Sequence, residues 1–139
     1  MAAIATVLGF DHGVKRIGVA VGQTLTRTAT PLTTLPAHAG QPDWNTVARL
    51  IAEWQPEYLV VGMPGTTDGA PHPLAPGIIR FAHRLEGRFN LPIQFIDERL
   101  SSHFAASQRG KRVTLDAVAA QLILETWLLE AHARTEVCA

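Results

Sequence analysis

Hydrophobic residues in this chain form short unbroken runs, typical of strands that are buried on both faces. The first two runs, residues 4–10 and 17–22, are separated only by a short turn, which predicts an antiparallel pair. Residues 29–35 predict a third strand beside them. Two later runs, residues 58–63 and 92–97, predict a fourth and a fifth strand.

Three further sets of apolar residues recur at the three- and four-residue spacing of amphipathic helices. The first set follows Asp43, a suitable cap, and ends before Pro56. The second covers residues 78–89, and the third follows Thr114. The element order β-β-β-α-β-α-β-α predicts an α/β fold with a five-stranded mixed sheet, its first three strands antiparallel and helices on both faces. We expect one domain over residues 1–139.

Three acidic residues occupy positions that such a sheet would bring to one edge. Asp11 ends the first run, Glu98 follows the fifth, and Asp116 opens the third helix. Each acid alone also has a simpler explanation. Asp11 can cap a turn, Glu98 can form a surface ion pair, and Asp116 can interact favourably with the dipole of its helix. Since strands of open α/β sheets carry ligands at their carboxyl ends, we expect the three carboxyl groups to converge within about 10 Å. Asp97 would face away from Glu98.

Carboxylates so close together repel unless a cation neutralises them. The cluster therefore predicts a site for one or two Mg²⁺ or Mn²⁺ ions that activate water for attack on a phosphodiester. Cationic residues near the acids or in the one dense basic cluster are candidate substrate contacts. These residues are Lys15, Arg16, Arg99, Arg109, Lys111 and Arg112. His12 is expected to face away from Asp11, and Gly13 is expected to be free to take positive φ.

The composition narrows the classes of function. An apolar fraction of 47% and a charged fraction of 17% are those of a compact protein. The formal net charge is zero, which argues against a large nonspecific nucleic-acid footprint. The six histidines lack the spacing of zinc ligands, and Cys138 has no partner for a disulfide. No apolar run reaches 18 residues, so we expect a cytoplasmic protein without a membrane span.

Several motifs together resemble the YqgF/RuvX family. They are Phe10-Asp-His-Gly-Val-Lys-Arg-Ile-Gly-Val-Ala-Val-Gly22, Val60-Val-Gly-Met-Pro64, Asp97-Glu-Arg-Leu-Ser-Ser102 and Asp116-Ala-Val-Ala-Ala120. The resemblance implies a ribonuclease H-like fold related to the RuvC resolvases, with Asp11, Glu98 and Asp116 at the family's acidic positions. Two departures stand out: Gly65-Thr-Thr-Asp68 lacks the family's Asn, and the segment between Glu98 and Asp116 is shorter than in the family.

The resemblance favours a metal-dependent endonuclease that matures the 5′ end of pre-16S rRNA, acting as a monomer or homodimer on structured RNA. The same chemistry would serve a resolvase of branched DNA junctions, which is expected to be a dimer. A non-catalytic nucleic-acid-binding module is the alternative of another class, although three acidic residues argue against it. An actin-like ATPase shares the core fold but needs a duplicated domain, for which this chain has no room.

Overall fold

The computed structural model describes residues 5–64, 72–97 and 115–138 of the chain. Strands and helices alternate there in the predicted order, with one short strand added. The elements are β1 Thr6–Asp11, β2 Arg16–Gln23, β3 Thr28–His38, β4 Gln41–Pro42, α1 Trp44–Trp54, β5 Tyr58–Met63, α2 Ala75–Phe89, β6 Ile93–Asp97 and α3 Leu115–Cys138. No helix in these ranges is long and apolar enough to cross a membrane.

The sheet has the strand order β4-β3-β2-β1-β5-β6. Strands β1, β2 and β3 pair antiparallel, whereas β5 and β6 run parallel to β1. This confirms the mixed α/β sheet and the meander at its start. The parallel strands β1, β5 and β6 therefore all end at the same edge, which we call the carboxyl edge.

The predicted strand count of five was wrong, because the sheet has a sixth strand. Strand β4 contains only two residues and pairs with the end of β3. The turn between them is Ala39–Gly40, and both residues have positive φ, 52° and 79°. Two-residue turns of this kind match the twist of a hairpin. A two-residue strand carries no alternating pattern, so the hydrophobic periodicity could not predict it.

Helices cover both faces of the sheet, as predicted. Leu8 and Phe10 of β1 belong to a core that includes Val47 of α1 and Phe81 of α2. Val7, which points to the other side, belongs to a second core with residues of α3. The two faces are called the α1/α2 face and the α3 face below.

Helix α1 begins and ends where the sequence predicts. Asp43 caps it, because the Asp43 Oδ1 accepts the Asn45 backbone N–H at 3.0 Å. The helix ends at Trp54, and Gln55 takes the left-handed conformation before Pro56. Thr114, the predicted cap of the third helix, lies outside the described residues.

Helix α3 packs unusually close to the sheet, because glycines replace side chains beneath it. A Cβ placed on Gly9 would lie 3.0 Å from the Leu124 Cβ, and one on Gly22 would lie 3.0 Å from the Leu124 Cδ2. A third glycine, Gly18, lies under the first turn of the helix. This close packing fixes where α3 begins relative to β2.

Candidate active site

Gly18 brings Asp11 and Asp116 together at the carboxyl edge. Asp11 is the last residue of β1, and its Cα lies directly opposite that of Gly18 in the antiparallel register. A Cβ on Gly18 would overlap the carbonyl oxygen of Asp116 and lie 2.9 Å from the Ala117 nitrogen. Opposed Cα atoms in such a pair are about 4.5–5.5 Å apart. The strand residue Asp11 and the helix residue Asp116 are thus both immediate neighbours of Gly18.

The side chain of Asp11 belongs to the α3 face. Side chains alternate along a strand, so Asp11 shares its face with Val7 and Gly9, which both pack beneath α3. Asp11 is half-buried, and the side chain of Asp116 is 31% exposed. The two residues therefore lie on one face of the sheet, within reach of solvent.

An arginine lies over one of the two acids. The Arg16 Nε donates a hydrogen bond to the Asp116 Oδ2 at 3.2 Å. The side chains are 67% and 31% exposed, and ion pairs this exposed contribute roughly 0–1 kcal/mol. Arg16 was predicted to contact substrate, and here its guanidinium binds the acid. Lys15, the other predicted contact in this turn, is exposed.

The remaining predicted site residues are not part of the described structure. Glu98, the predicted third ligand, lies outside the described residues. The same is true of the predicted substrate contacts Arg99, Arg109, Lys111 and Arg112. The backbone of β6 is described up to Asp97, which pairs with Met63. Over residues 5–64, 72–97 and 115–138, no three His, Cys, Asp or Glu side chains are placed to hold a metal ion.

The donors that are present nevertheless suit a magnesium or manganese ion. Asp11 and Asp116 supply hard carboxylate oxygens, the ligand type that these ions prefer. A Mg²⁺ ion usually takes one or two carboxylates and fills its other positions with water and substrate phosphate. Two acids on one face at an open edge of the sheet therefore fit such an ion.

His12, the residue after β1, faces away from the acids, as expected. Its ring lies 4.9 Å from the ring of Phe81, on the α1/α2 face. The His12 Nε2 is 2.9 Å from the Gly40 carbonyl oxygen, which can only accept, so this nitrogen carries a proton and donates. Burial lowers the pKa of His12, and the bond to Gly40 opposes this only in part. Burial therefore favours the neutral form of the ring.

Gly13 does not use its freedom to take positive φ. Among the described glycines, positive φ occurs at Gly40. Gly13 is required for another reason, because a Cβ there would lie 2.5 Å from the carbonyl oxygen of Arg16. The turn after Asp11 is tight because the backbone packs against itself.

Sequence reasoning missed two residues beside the acids. Gly18 lies within the second predicted strand, and a glycine inside a buried strand can indicate that another backbone approaches closely. Thr34 lies opposite Gly18 on β3. The Thr34 Oγ1 is buried and has no hydrogen-bond partner within the described part of the chain. Nothing in the sequence around Thr34 distinguishes it from the neighbouring threonines.

Comparison with protein families gives one consistent result. The model of the family described as "RuvX: Holliday junction resolvase" matches residues 5–130. A protein of Nitrosococcus oceani, named "Putative pre-16S rRNA nuclease", is 48% identical over 131 residues, covering 89% of this chain and 86% of the relative. A protein of Dechloromonas aromatica with the same name is 47% identical over 137 residues, covering 93% and 94%.

Solved structures of similar fold include two resolvases. Thermus thermophilus RuvC, in complex with a Holliday junction substrate, aligns with a TM-score of 0.57 over 92% of this chain and 96% of its own. The fowlpox virus Holliday junction resolvase aligns with a TM-score of 0.54 over 91% and 99%. Sequence identities are 14% and 16%, so these likenesses establish the fold alone.

Proposed function

Because the chain belongs to the RuvX family, we propose that it is an endonuclease that hydrolyses phosphodiester bonds with one or two divalent metal ions. Its substrate in this proposal is structured precursor rRNA, cleaved in the cytoplasm near the 5′ end of pre-16S rRNA. The names of relatives 47–48% identical over most of their length support this choice of substrate. The description of the family supports a branched DNA junction as the alternative substrate.

One observation carries the proposal: the backbone of Asp116 packs against Gly18, the register partner of Asp11. We assign Asp11 and Asp116 as metal ligands on this basis. We assign Glu98 as the third ligand from the sequence. Ile96 of β6 packs in the core beneath α3, and the two-residue period of a strand would give Glu98 that same face.

A divalent ion at this site supplies Lewis acidity and an activated water for attack on phosphorus. The chain's own contribution is to orient the ligands. Asp11 is held by its strand, and Asp116 is held by the close contact of α3 with β2. Arg16 is bound to Asp116 by a weak, exposed ion pair, which a cation held by the acids would replace. The Arg16 guanidinium would then be available beside the acids to bind a phosphate oxygen of the substrate.

The test removes the charge of Asp11 and keeps its shape. In Asp11→Asn we expect cleavage to fall by at least two orders of magnitude, because the ligand charge is lost. The free energy of unfolding should change by less than about 1 kcal/mol, since Asn has nearly the same volume. The matched control is Asp43→Asn, which removes the same charge at the start of α1, where Asn caps a helix as well as Asp.

The assay compares a precursor rRNA fragment with a four-way DNA junction, each in Mg²⁺, Mn²⁺ or EDTA. Cleavage of the RNA by the parent protein and by Asp43→Asn, but not by Asp11→Asn or in EDTA, supports the proposal. Cleavage in EDTA, or full activity of Asp11→Asn, contradicts the metal mechanism. Cleavage of the junction alone would establish the resolvase alternative. Binding without cleavage of either substrate would indicate a non-catalytic module.

A further inference from the structure

A cleft of about 340 Å³ opens beside the acids, on the opposite face of the same sheet edge. One wall is Val14 with the Ala39–Gly40 turn, and the other wall is the start of α2, including Leu74, Gly77 and Arg80. His12, which follows Asp11 directly in the chain, also lines the cleft. Ligand pockets in proteins begin at about 300 Å³, so this space can hold a small organic group.

The wall formed by Val14 and the turn is held rigidly in place. The Gly40 N–H donates to the Val14 carbonyl oxygen at 3.0 Å, and the Gly40 carbonyl accepts from His12. The His12 ring is in turn packed on Phe81. The cleft is therefore already shaped before any ligand binds, which lowers the entropic cost of binding.

The two walls present apolar groups to solvent. Val14 is 53% exposed and Leu74 is 49% exposed, and both belong to the small set of large hydrophobic residues that the described chain leaves exposed. They line the cleft from two separate segments of the chain, Val14 after β1 and Leu74 just before α2. An apolar, flat group inserted between them would cover both.

The charge of the cleft is positive. Arg80 lines it, and no carboxylate is among the lining residues that the structure describes. Arg80, Arg84 and Arg88 are all exposed on α2 and are spaced four residues apart. Residues four apart lie on one side of a helix, about 6 Å from one to the next. Together they form an arginine ridge that starts at the cleft and follows the helix away from the carboxyl edge.

We propose that this cleft binds an unpaired nucleotide of the substrate strand, close to the phosphate that is cleaved. The base lies between Val14 and Leu74, and Arg80 binds the adjoining phosphate. Unpaired bases are recognised in this way, by apolar or aromatic walls and by Arg, whereas a paired base cannot leave its stack cheaply. The inference rests on the proposed function, since it takes nucleic acid as the substrate, and it adds that the substrate is unpaired beside the cut.

The test replaces a glycine that lines the cleft by a larger side chain, which fills the space. Gly77 lies in helix α2, and among the atoms of the described residues the Arg80 Nη2, at 4.0 Å, is the one near a Cβ placed there. Gly77→Leu therefore extends into the cleft without a backbone clash. The matched control is Gly87→Leu, in the same helix, where nothing lies within 4 Å of an added Cβ. Urea unfolding should show both variants to be at least as stable as the parent, because Leu favours a helix over Gly.

Binding is measured by fluorescence anisotropy in EDTA, so that no cleavage occurs. The probes are an RNA hairpin with an unpaired extension on one strand and the same hairpin with a blunt end. We expect Gly77→Leu to bind the extended hairpin about tenfold more weakly than Gly87→Leu does, with no difference on the blunt hairpin. In Arg80→Gln, the slope of log affinity against log salt for the extended hairpin should fall by about 0.7.

Equal affinity of the two leucine variants for the extended hairpin would overturn the inference. Equal weakening on both hairpins would also overturn it, because the cleft would then contact paired nucleic acid. If Gly77→Leu fails to fold, an unchanged salt slope in Arg80→Gln decides against the proposal. Since these measurements need no metal, they stand apart from the cleavage assay. Loss of the nuclease mechanism and loss of the cleft inference are therefore distinguishable.

Discussion

A methyl group at Gly18 should separate the two acids of the site. In Gly18→Ala, the added Cβ would lie 2.9 Å from the Ala117 nitrogen and closer still to the Asp116 carbonyl oxygen. Ordinary contact begins at 3.4 Å, so the nitrogen must move by at least 0.5 Å (3.4 − 2.9). The carbonyl oxygen, which the added Cβ would overlap, requires a larger displacement. Both atoms belong to the backbone, so the first turn of α3 has to shift as a unit.

This shift should cost activity as well as stability. Overpacking of a core destabilises by about 1–3 kcal/mol, and a misplacement of about 1 Å at a reactive centre can cost about 10²-fold in rate, which corresponds to about 2.7 kcal/mol. The assays are urea unfolding, Mn²⁺ affinity by calorimetry and cleavage of the precursor rRNA fragment.

Two other glycines provide the controls for this experiment. Gly9→Ala also presses on α3, where the Leu124 Cβ would lie 3.0 Å away, but two turns beyond Asp116. It should lose stability and keep most of its metal affinity. Gly87→Ala meets nothing within 4 Å and should gain roughly 0.5–1 kcal/mol. Parent-like cleavage by Gly18→Ala, or equal loss in Gly9→Ala, would refute the reasoning.

Two further predictions concern side chains next to the acids. Arg16→Gln should bind Mn²⁺ about fivefold more tightly by calorimetry, because removing Arg16 takes away a competing charge worth about 1 kcal/mol at Asp116. Arg49→Gln is the control. Weaker Mn²⁺ binding by Arg16→Gln would contradict the idea that the ion replaces Arg16 as the charge partner of Asp116. The free energy of unfolding of the metal-free protein should fall as the pH drops below about 6.5. The pKa of His12 is lowered in the folded protein, so the unfolded chain binds the proton more readily than the folded chain does. His12→Phe, which keeps a ring against Phe81, should flatten that part of the urea-unfolding profile, and an unchanged slope would assign it to other groups.

Local patterns were enough to predict most of the fold. Apolar runs identified β1, β2 and β5, because strands buried on both faces leave an unbroken signal. The shorter apolar run at residues 92–97 identified β6, an edge strand whose Gln94 and Phe95 are exposed. The cap at Asp43 and the break at Pro56 located α1, since capping and loss of the backbone donor act over a few residues. The prediction of five strands missed β4, which forms because the Ala39–Gly40 turn brings the chain back alongside β3. Two residues are too few for any periodicity.

The sequence was enough to predict the residue types of the candidate site, but not the contact that positions them. Strand ends and a helix start indicated Asp11 and Asp116, because the carboxyl ends of strands collect at one edge. The contact that places them, Gly18 under the backbone of Asp116, joins residues far apart in the sequence and leaves no local pattern. The cleft leaves no local pattern in the sequence either, since its walls come from three separate segments of the chain.

The site combines two kinds of contact that differ in strength for a physical reason. Asp116 is positioned by backbone packed on backbone, and a close-packed interior resists displacement. Its charge is balanced by Arg16 through an exposed ion pair, which is weak and easily exchanged. A ligand for the proposed metal ion needs both properties, because its oxygen must stay in place while its charge partner changes. A glycine at position 18 provides the first property, and the exposure of Arg16 provides the second. Substitutions at these two positions should therefore affect different quantities: the geometry of the site at Gly18 and its affinity for the ion at Arg16.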